Sequence, residues 1–163
     1  MKTLPIVVRI KANFTRLKRR KAAAPKLSRF IRAQKYFHGQ ALSEIRRGRK
    51  ESHWMWFVFP QIDGLGESTM TEYFAIKSKK EAEEYLKHPV LGERLLEISE
   101  ALLELETDDA GEVMGYPDNL KLQSSMTLFR EVAPDKEVFQ KVLDKFFHGE
   151  PDQVTIRLMQ ENG

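Results

Sequence analysis

Nine consecutive residues, HWMWFVFPQ from His53 to Gln61, contain both tryptophans of the chain. In an extended segment, successive side chains point to opposite faces, and here both faces would be apolar. We therefore expect an extended element that is buried on both sides, with its tryptophans in the core. In the alternative interpretation, Trp54 or Trp56 lines a pocket, where its ring could stack on a base or a sugar.

Polar side chains stand at both ends of this segment. His53 precedes the tryptophans, and a histidine can exchange protons near neutral pH. Gln61 ends the segment and can both donate and accept hydrogen bonds. We predict that these two residues touch the reacting or recognised group of a ligand, which makes them the candidate catalytic residues. A structural hydrogen-bonding role for His53 is the alternative.

A basic strip, RRGRK at residues 46–50, runs into the aromatic segment. Arg46 and Lys50 are the groups in it that could reach an anion in the same cleft, although a solvated surface is the usual outcome for such a strip. The later GLG at residues 64–66 is too short to be a phosphate-binding loop by itself. Ser68, just after it, could cap a helix whose N-terminus faces an anion. The strip and the aromatic segment together predict an anion or nucleotide pocket.

A second group of candidate ligand-binding residues is KLQSSMT, from Lys121 to Thr127. On a helix, Lys121, Ser124 and Ser125 lie on neighbouring positions of one face. A point charge next to hydroxyls can bind a phosphate or a carboxylate. Alternatively, the two serines only let another helix approach closely while Lys121 stays solvated. A serine–lysine nucleophile pair is conceivable, but the spacing is not specific for one.

The composition is that of a single globular domain, with 163 residues, 41% of them hydrophobic and 31% charged. No apolar stretch approaches the roughly 18 residues that a membrane span needs. The chain has no cysteine, which excludes disulfides, cysteine–zinc sites and thiol nucleophiles and fits a cytoplasmic protein. The histidines, at positions 38, 53, 88 and 148, are far apart, so we predict no metal site and no cofactor.

Charge is divided unevenly along the chain. Residues 1–50 carry 16 Lys/Arg and a single acid, Glu44, whereas residues 51–163 carry 11 Lys/Arg and 23 Asp/Glu. The formal charges of the two parts are therefore +15 and −12. The acidic part could hold the basic part against itself. Alternatively, the basic part could reach nucleic acid, an acidic partner or an anionic membrane.

Residues 1–26 form a basic arm in front of a single helical domain, which we place at residues 27–160. The arm carries nine Lys/Arg and no acid, with KRRK at residues 18–21. A disordered and solvated arm, a processed targeting segment and a nucleic-acid-binding tail are the three interpretations of such a composition. A start codon assigned too far upstream would produce the same pattern.

Apolar periodicity in the rest of the chain predicts a mainly α, compact multihelical domain of about seven short helices. Two helices are expected after Ser28, with Gly39 between them. The clearest amphipathic helix spans Val90 to Glu106. The expected helix starts are Ser68, Ser78 with Glu81 in a capping box, Asp109, Asp118, Pro134 and Asp152.

Several motifs of the chain resemble those of a widespread bacterial family of unknown function. They are FIxAQ at 30–34, ALxEIxxGxK at 41–50, HWMWFVFPQ at 53–61, GLGxS at 64–68, EAxxYLxHPVLGxRL at 81–95 and DxxKxxSSMTLF at 118–129. The resemblance covers about Leu27 to Leu158 and implies a compact, mainly helical fold. It brings no established activity or catalytic residue. Some members are labelled calpastatin, but nothing in this chain resembles a calpain-inhibitor repeat.

Two hypotheses about function follow from these patterns. In the first, an enzyme or sensor binds a small anionic ligand, nucleotide-like or ADP-ribose-like, between the HWMWFVFPQ segment and the KLQSSMT helix. In the second, the chain is a non-catalytic helical interaction module, and its basic residues 1–50 contact nucleic acid or an acidic partner. The sequence leaves catalysis and the oligomeric state open.

Overall fold

Helices make up most of the fold. The structure, a computed structural model, describes residues 26–162, so most of the predicted basic arm lies outside the described residues. This part of the chain forms nine helices rather than about seven, and it contains no β-strand beyond one isolated parallel bridge between Ile62 and Ile76. None of the nine is long and apolar enough to cross a membrane. They are α1 (Ser28–Arg46), α2 (Met55–Val58), α3 (Thr69–Phe74), α4 (Lys79–Lys87), α5 (Leu91–Leu103), α6 (Ala110–Met114), α7 (Asp118–Val132), α8 (Glu137–Phe147) and α9 (Gln153–Asn162).

Helix α1 is continuous over 19 residues, so the predicted break at Gly39 is wrong. A glycine inside a helix costs only about 1 kcal/mol relative to alanine. Phe37 and Ala41, on either side of Gly39, are both buried in the same core, and their burial outweighs that cost. Gly39 itself is exposed, with open space where a side chain would stand.

Residues 53–61 are not extended, which corrects the expectation for the aromatic segment. Met55–Val58 form a single helical turn, α2. This turn gives the two tryptophans different environments, because Trp54 is fully buried while Trp56 is half-buried. A one-turn helix also leaves backbone carbonyls without partners at its end. The side-chain amide of Gln34, in α1, donates to one of them at 2.7 Å.

Four of the six predicted helix starts are confirmed, among them Asp152, which directly precedes α9 and accepts the N–H of Val154 at 3.2 Å. Side-chain oxygens accept a backbone N–H of the first helical turn at Ser68, Ser78 and Asp109. Glu81 reaches back to the N–H of Lys77 (2.8 Å), one residue before the cap. Asp118 is not a cap, because it is the first residue of α7 and makes no capping hydrogen bond. Helix α8 begins at Glu137 rather than at Pro134.

A chain of aromatic rings joins four helices through the core. Phe30 of α1 lies edge-on to Tyr85 of α4, with their ring centroids 5.1 Å apart. Tyr85 contacts Phe129 of α7 at 5.4 Å, and Phe129 contacts Phe139 of α8 at 5.8 Å. All four rings are fully buried. Such contacts contribute about 0.5–1.5 kcal/mol each beyond the burial of area, so this chain fixes how the four helices pack.

A buried carboxylate connects α1 to the aromatic segment. Glu44 is 1% exposed, and its oxygens accept hydrogen bonds from Trp54 Nε1 (2.9 Å), Ser52 N (3.0 Å) and Ser52 Oγ (2.6 Å). Glu51 N (2.8 Å) and Gln40 Nε2 (3.1 Å) also donate to it. Burial alone would raise the pKa of Glu44, but the hydrogen bonds from Ser52, Glu51 and Trp54 lower it from 4.5 to about 2. The carboxylate is therefore charged at neutral pH.

Replacing Glu44 by glutamine should lower the free energy of unfolding by about 3 kcal/mol at neutral pH, because an amide cannot accept all of these hydrogen bonds. The pKa of Glu44 is lower in the folded than in the unfolded state. The contribution of Glu44 to the free energy of unfolding is therefore complete above about pH 5 and is lost as the pH falls toward about 2.

Urea unfolding of the wild type and of Glu44→Gln between neutral and acidic pH measures this effect. The difference in stability between the two proteins should shrink at the acidic end. Glu104→Gln, which removes an exposed acid, is the control for a general change of charge. A Glu44→Gln protein as stable as this control at neutral pH would contradict the role assigned to the carboxylate.

Candidate functional site

Two lysines share one aspartate beside the aromatic segment. Asp118 places Oδ2 2.9 Å from Lys50 Nζ and Oδ1 3.5 Å from Lys121 Nζ. Lys50 has a side chain that is only 8% exposed, and it also donates to Ser52 O at 2.6 Å. The side chain of Lys121 is 30% exposed. Lys121 is therefore the more accessible cation of this pair for a ligand.

Trp56 lies next to this pair of lysines. Its half-buried ring packs against the core, and Lys121 Nζ is 6.0 Å from the ring centroid. Trp56 also lines a narrow cleft with Gln61 and Thr71, whose volume of about 10 Å³ has room for about one water molecule. A ligand at this place would therefore have to lie outside the cleft, against the exposed part of the Trp56 side chain. We call the following five residues the Trp56 surface: Lys50, Trp56, Gln61, Asp118 and Lys121.

Two buried polar atoms near the start of α7 have no hydrogen-bond partner among the described residues. One is Oγ of Ser125, which lies one helical turn after Lys121 and is fully buried. The other is Oδ1 of Asn119, next to Asp118. A buried polar group without a partner costs about 1–3 kcal/mol. Such atoms mark a place where water or a ligand can complete the bonding.

Two predicted site residues flank the Trp56 surface. His53 is exposed and directly follows Ser52, whose carbonyl binds Lys50. Ser68 caps α3 and donates to Thr71 Oγ1 at 2.7 Å, which places it next to the cleft beside Trp56. A catalytic role for His53 and Gln61 stays a prediction.

Three other predicted binding residues make contacts inside the protein. Trp54 is buried, and its indole N–H is bound by Glu44, so its ring cannot stack on a ligand. Ser124 Oγ donates to Asp152 Oδ2 at 2.7 Å. Thr127 Oγ1 accepts the backbone N–H of Asp152 at 2.9 Å. These two hydroxyls hold the start of α9 on α7.

Arg46 points toward α5 rather than toward Lys50. Its Nη2 is 3.9 Å from Glu97 Oε2, and Glu97 Oε1 is 3.5 Å from Nε2 of His38, a residue that the sequence analysis did not select. His38 is 9% exposed, yet neither of its ring nitrogens has a well-aligned hydrogen bond to a described residue. Burial lowers the pKa of His38 below 6.5; Glu97 partly offsets this, and Arg94 adds to it.

His38 should therefore titrate below pH 6.5 in the folded protein, which the pH dependence of its ring C–H signals in NMR spectra measures. The unfolded chain binds this proton more readily, so His38 makes the fold less stable as the pH falls below about 6.5. Above that pH it contributes nothing to the pH dependence. A titration midpoint at or above 6.5 would contradict the buried environment of this ring.

Sequence reasoning missed the roles of Asp118 and Glu44. The spacing of Asp118 and Lys121, three residues apart on one helix, is a signal that could have found the first ion pair. Nothing in the local sequence shows that Lys50 joins them from a distant loop. In the described part of the chain, no group of three or more His, Asp or Glu side chains could hold a metal ion.

The family model described as "Protein of unknown function (DUF1810)" matches residues 24–159. The chain therefore belongs to this family, which confirms the family inferred from its motifs. It is similar to the conserved hypothetical protein Rv1873 from Mycobacterium tuberculosis, whose crystal structure gives a TM-score of 0.81 at 41% sequence identity. The match covers 82% of this chain and 96% of that chain. No curated protein matches this chain.

Proposed function

We propose that this protein binds a small anionic ligand with an aromatic ring, such as a nucleotide or an ADP-ribose-like compound, on the Trp56 surface. The observation that carries the proposal is the half-buried Trp56 ring with Lys121 Nζ 6.0 Å from its centroid. A base stacked on an aromatic side chain contributes about 1–3 kcal/mol. A phosphate next to Lys121 adds a charge-assisted hydrogen bond. The ring and the cation thus recognise two parts of one ligand.

Asp118 makes this arrangement suitable for reversible anion binding. Lys50 and Lys121 carry two positive charges against one carboxylate, so the cluster keeps a net charge of +1. The 3.5 Å contact between Lys121 and Asp118 is long for a charge-assisted hydrogen bond. A phosphate can therefore replace Asp118 as the partner of Lys121, while Lys50 holds the aspartate in place at 2.9 Å.

His53 and Gln61 are the residues that we propose for contacting the reacting or recognised group. His53 is exposed, and Gln61 borders the cleft beside Trp56. If the protein is an enzyme, His53→Ala should abolish conversion of the ligand while leaving its binding. If it is a sensor, the same substitution changes only affinity. Incubation with the bound compound, followed by chromatography, separates the two cases.

The two tryptophans provide a direct test of binding in the full-length chain. Trp54→Phe leaves Trp56 as the only tryptophan, and Trp56→Phe leaves only the buried Trp54. Titration with ADP-ribose, AMP or ATP should quench fluorescence in the wild type and in Trp54→Phe, because a stacked base quenches indole emission. The same titration should leave the emission of Trp56→Phe unchanged. Circular dichroism checks that both variants fold.

Lys121→Ala should weaken the affinity for the quenching compound about tenfold, the effect of losing about 1.4 kcal/mol of charge-assisted bonding. Lys141→Ala is the matched control, since Lys141 lies on α8 and is 3.8 Å from Glu137. Equal affinities of the two lysine variants, or equal quenching in Trp56→Phe and the wild type, would place the ligand elsewhere. No quenching by any of the three compounds would overturn the proposal.

The helical interaction module remains the second candidate function. The observation in its favour is that Arg46, Arg47 and Arg49 are all exposed at the end of α1 and just after it. Nucleic-acid binding through these residues and the arm should fall steeply with salt concentration. An electrophoretic mobility assay at several salt concentrations, repeated with Trp56→Phe, distinguishes the two functions. Salt-sensitive binding that Trp56→Phe leaves unchanged would favour the module.

A further inference from the structure

A groove of about 580 Å³ runs along the outer face of α5. Three of its lining residues are exposed glutamates, and Arg94 is its one cation, which gives the lining a net charge of −2. Arg94 is turned toward the protein, since its Nη1 lies 3.4 Å from Gln34 Oε1 of α1. The open side of the groove is therefore dominated by carboxylates. Its lining residues are Val90, Glu93, Arg94, Leu96, Glu97 and Glu100.

The carboxylates of this groove lack close partners. Glu97 is 3.5 Å from His38 and 3.9 Å from Arg46, and both distances are longer than a charge-assisted hydrogen bond. His38, buried beside Glu97, has no hydrogen-bond partner among the described residues for either ring nitrogen. Glu93 and Glu100 make no ion pair within residues 26–162. The groove thus offers acceptors to which a lysine or arginine side chain can donate.

We propose that this groove binds a lysine- and arginine-rich segment, and that its occupant is the basic arm of the same chain, residues 1–26. The arm carries nine Lys/Arg and no acid, which complements the charge of the groove. It joins the described residues at the start of α1, the helix that packs along α5. Charge and position therefore both connect the arm to this groove.

The KRRK cluster at residues 18–21 is close enough along the chain to reach the groove. Helices α1 and α5 run in the same direction. Gln34 contacts Arg94, and one turn further along both helices His38 lies beside Glu97. The start of α1 therefore lies toward the N-terminal end of the groove, about 9 Å along the helix from Gln34. The five residue-to-residue steps from Lys21 to Lys26 can span about 17 Å when extended.

Exposed ion pairs contribute only about 0.2–1 kcal/mol each, so the contact depends on several pairs and on the covalent connection of the arm. Such binding weakens as salt screens the charges. The arm would then cover α5 at low ionic strength and leave it at high ionic strength. This role is independent of the Trp56 surface, which carries a net positive charge and does not attract a basic segment.

Zero-length carbodiimide cross-linking of the full-length protein, followed by mass spectrometry, tests this contact. We expect Lys18 or Lys21 to be joined to acids of the groove, with a yield that falls at high salt. Removing two groove carboxylates, with Glu93→Gln and Glu100→Gln together, should lower that yield severalfold. Glu83→Gln with Glu84→Gln, which removes two exposed acids from α4, is the matched control and should leave it unchanged.

Three results would overturn the proposal. The first is the absence of arm-to-groove cross-links at low salt. The second is an equal loss of yield in the two paired variants, which would show that the arm follows overall charge rather than this groove. The third comes from an equal mixture of unlabelled and nitrogen-15-labelled protein: cross-links between the two labels would make a second copy, rather than the same chain, the source of the arm.

Discussion

The hydrogen bonds of the Glu44 carboxylate are the constraint on which the arrangement of the Trp56 surface depends. The charged carboxylate of Glu44, at the end of α1, is buried and accepts hydrogen bonds from N–H and O–H donors of the loop that follows. One further donor is the indole N–H of Trp54, which ties that ring into the core. Without the carboxylate, the buried indole N–H of Trp54 would have no partner, at a cost of about 1–3 kcal/mol.

From this carboxylate a chain of contacts leads to the groups that we propose to bind the ligand. Glu44 orders Ser52, whose carbonyl accepts a hydrogen bond from Lys50. Lys50 binds Asp118, and Asp118 also attracts Lys121, which lies beside Trp56. Two parts of the chain that are far apart in sequence are joined in this way. The pattern also shows what the single acid among the basic residues 1–50 does: Glu44 is a buried hydrogen-bond acceptor, not a surface group.

Local sequence patterns predicted much of the fold but less of the site. Ser68, Ser78 and Asp109 were predictable as N-caps, because capping depends on a few neighbouring backbone groups. The helical turn at Met55–Val58 was not, because a short run of wholly apolar residues fits either a buried strand or a helix. Gly39 was mistaken for a break because tertiary burial outweighs its low helix propensity.

For the site residues, too, local sequence signals could be interpreted and contacts between distant parts of the chain could not. Lys121 was selected as a candidate from a charge placed among hydroxyls on one helix, which is a local signal. The distinction between Trp54 and Trp56 could not be predicted, because it depends on the hydrogen bond from Trp54 to Glu44 and on the turn of α2. The intramolecular partner of the Ser124 and Thr127 hydroxyls could not be predicted for a similar reason. Their partner, Asp152, comes from a loop that no local pattern connects to α7.

The proposed function is tested most directly by a crystal structure of the full-length protein with ADP-ribose at saturating concentration. We expect the adenine ring to stack against the exposed part of the Trp56 ring, with a phosphate oxygen within hydrogen-bond distance of Lys121 Nζ. Trp54 should remain in the core, bound to Glu44. Ordered ligand at any other place, or a Trp56 surface left unoccupied at that concentration, would contradict the account.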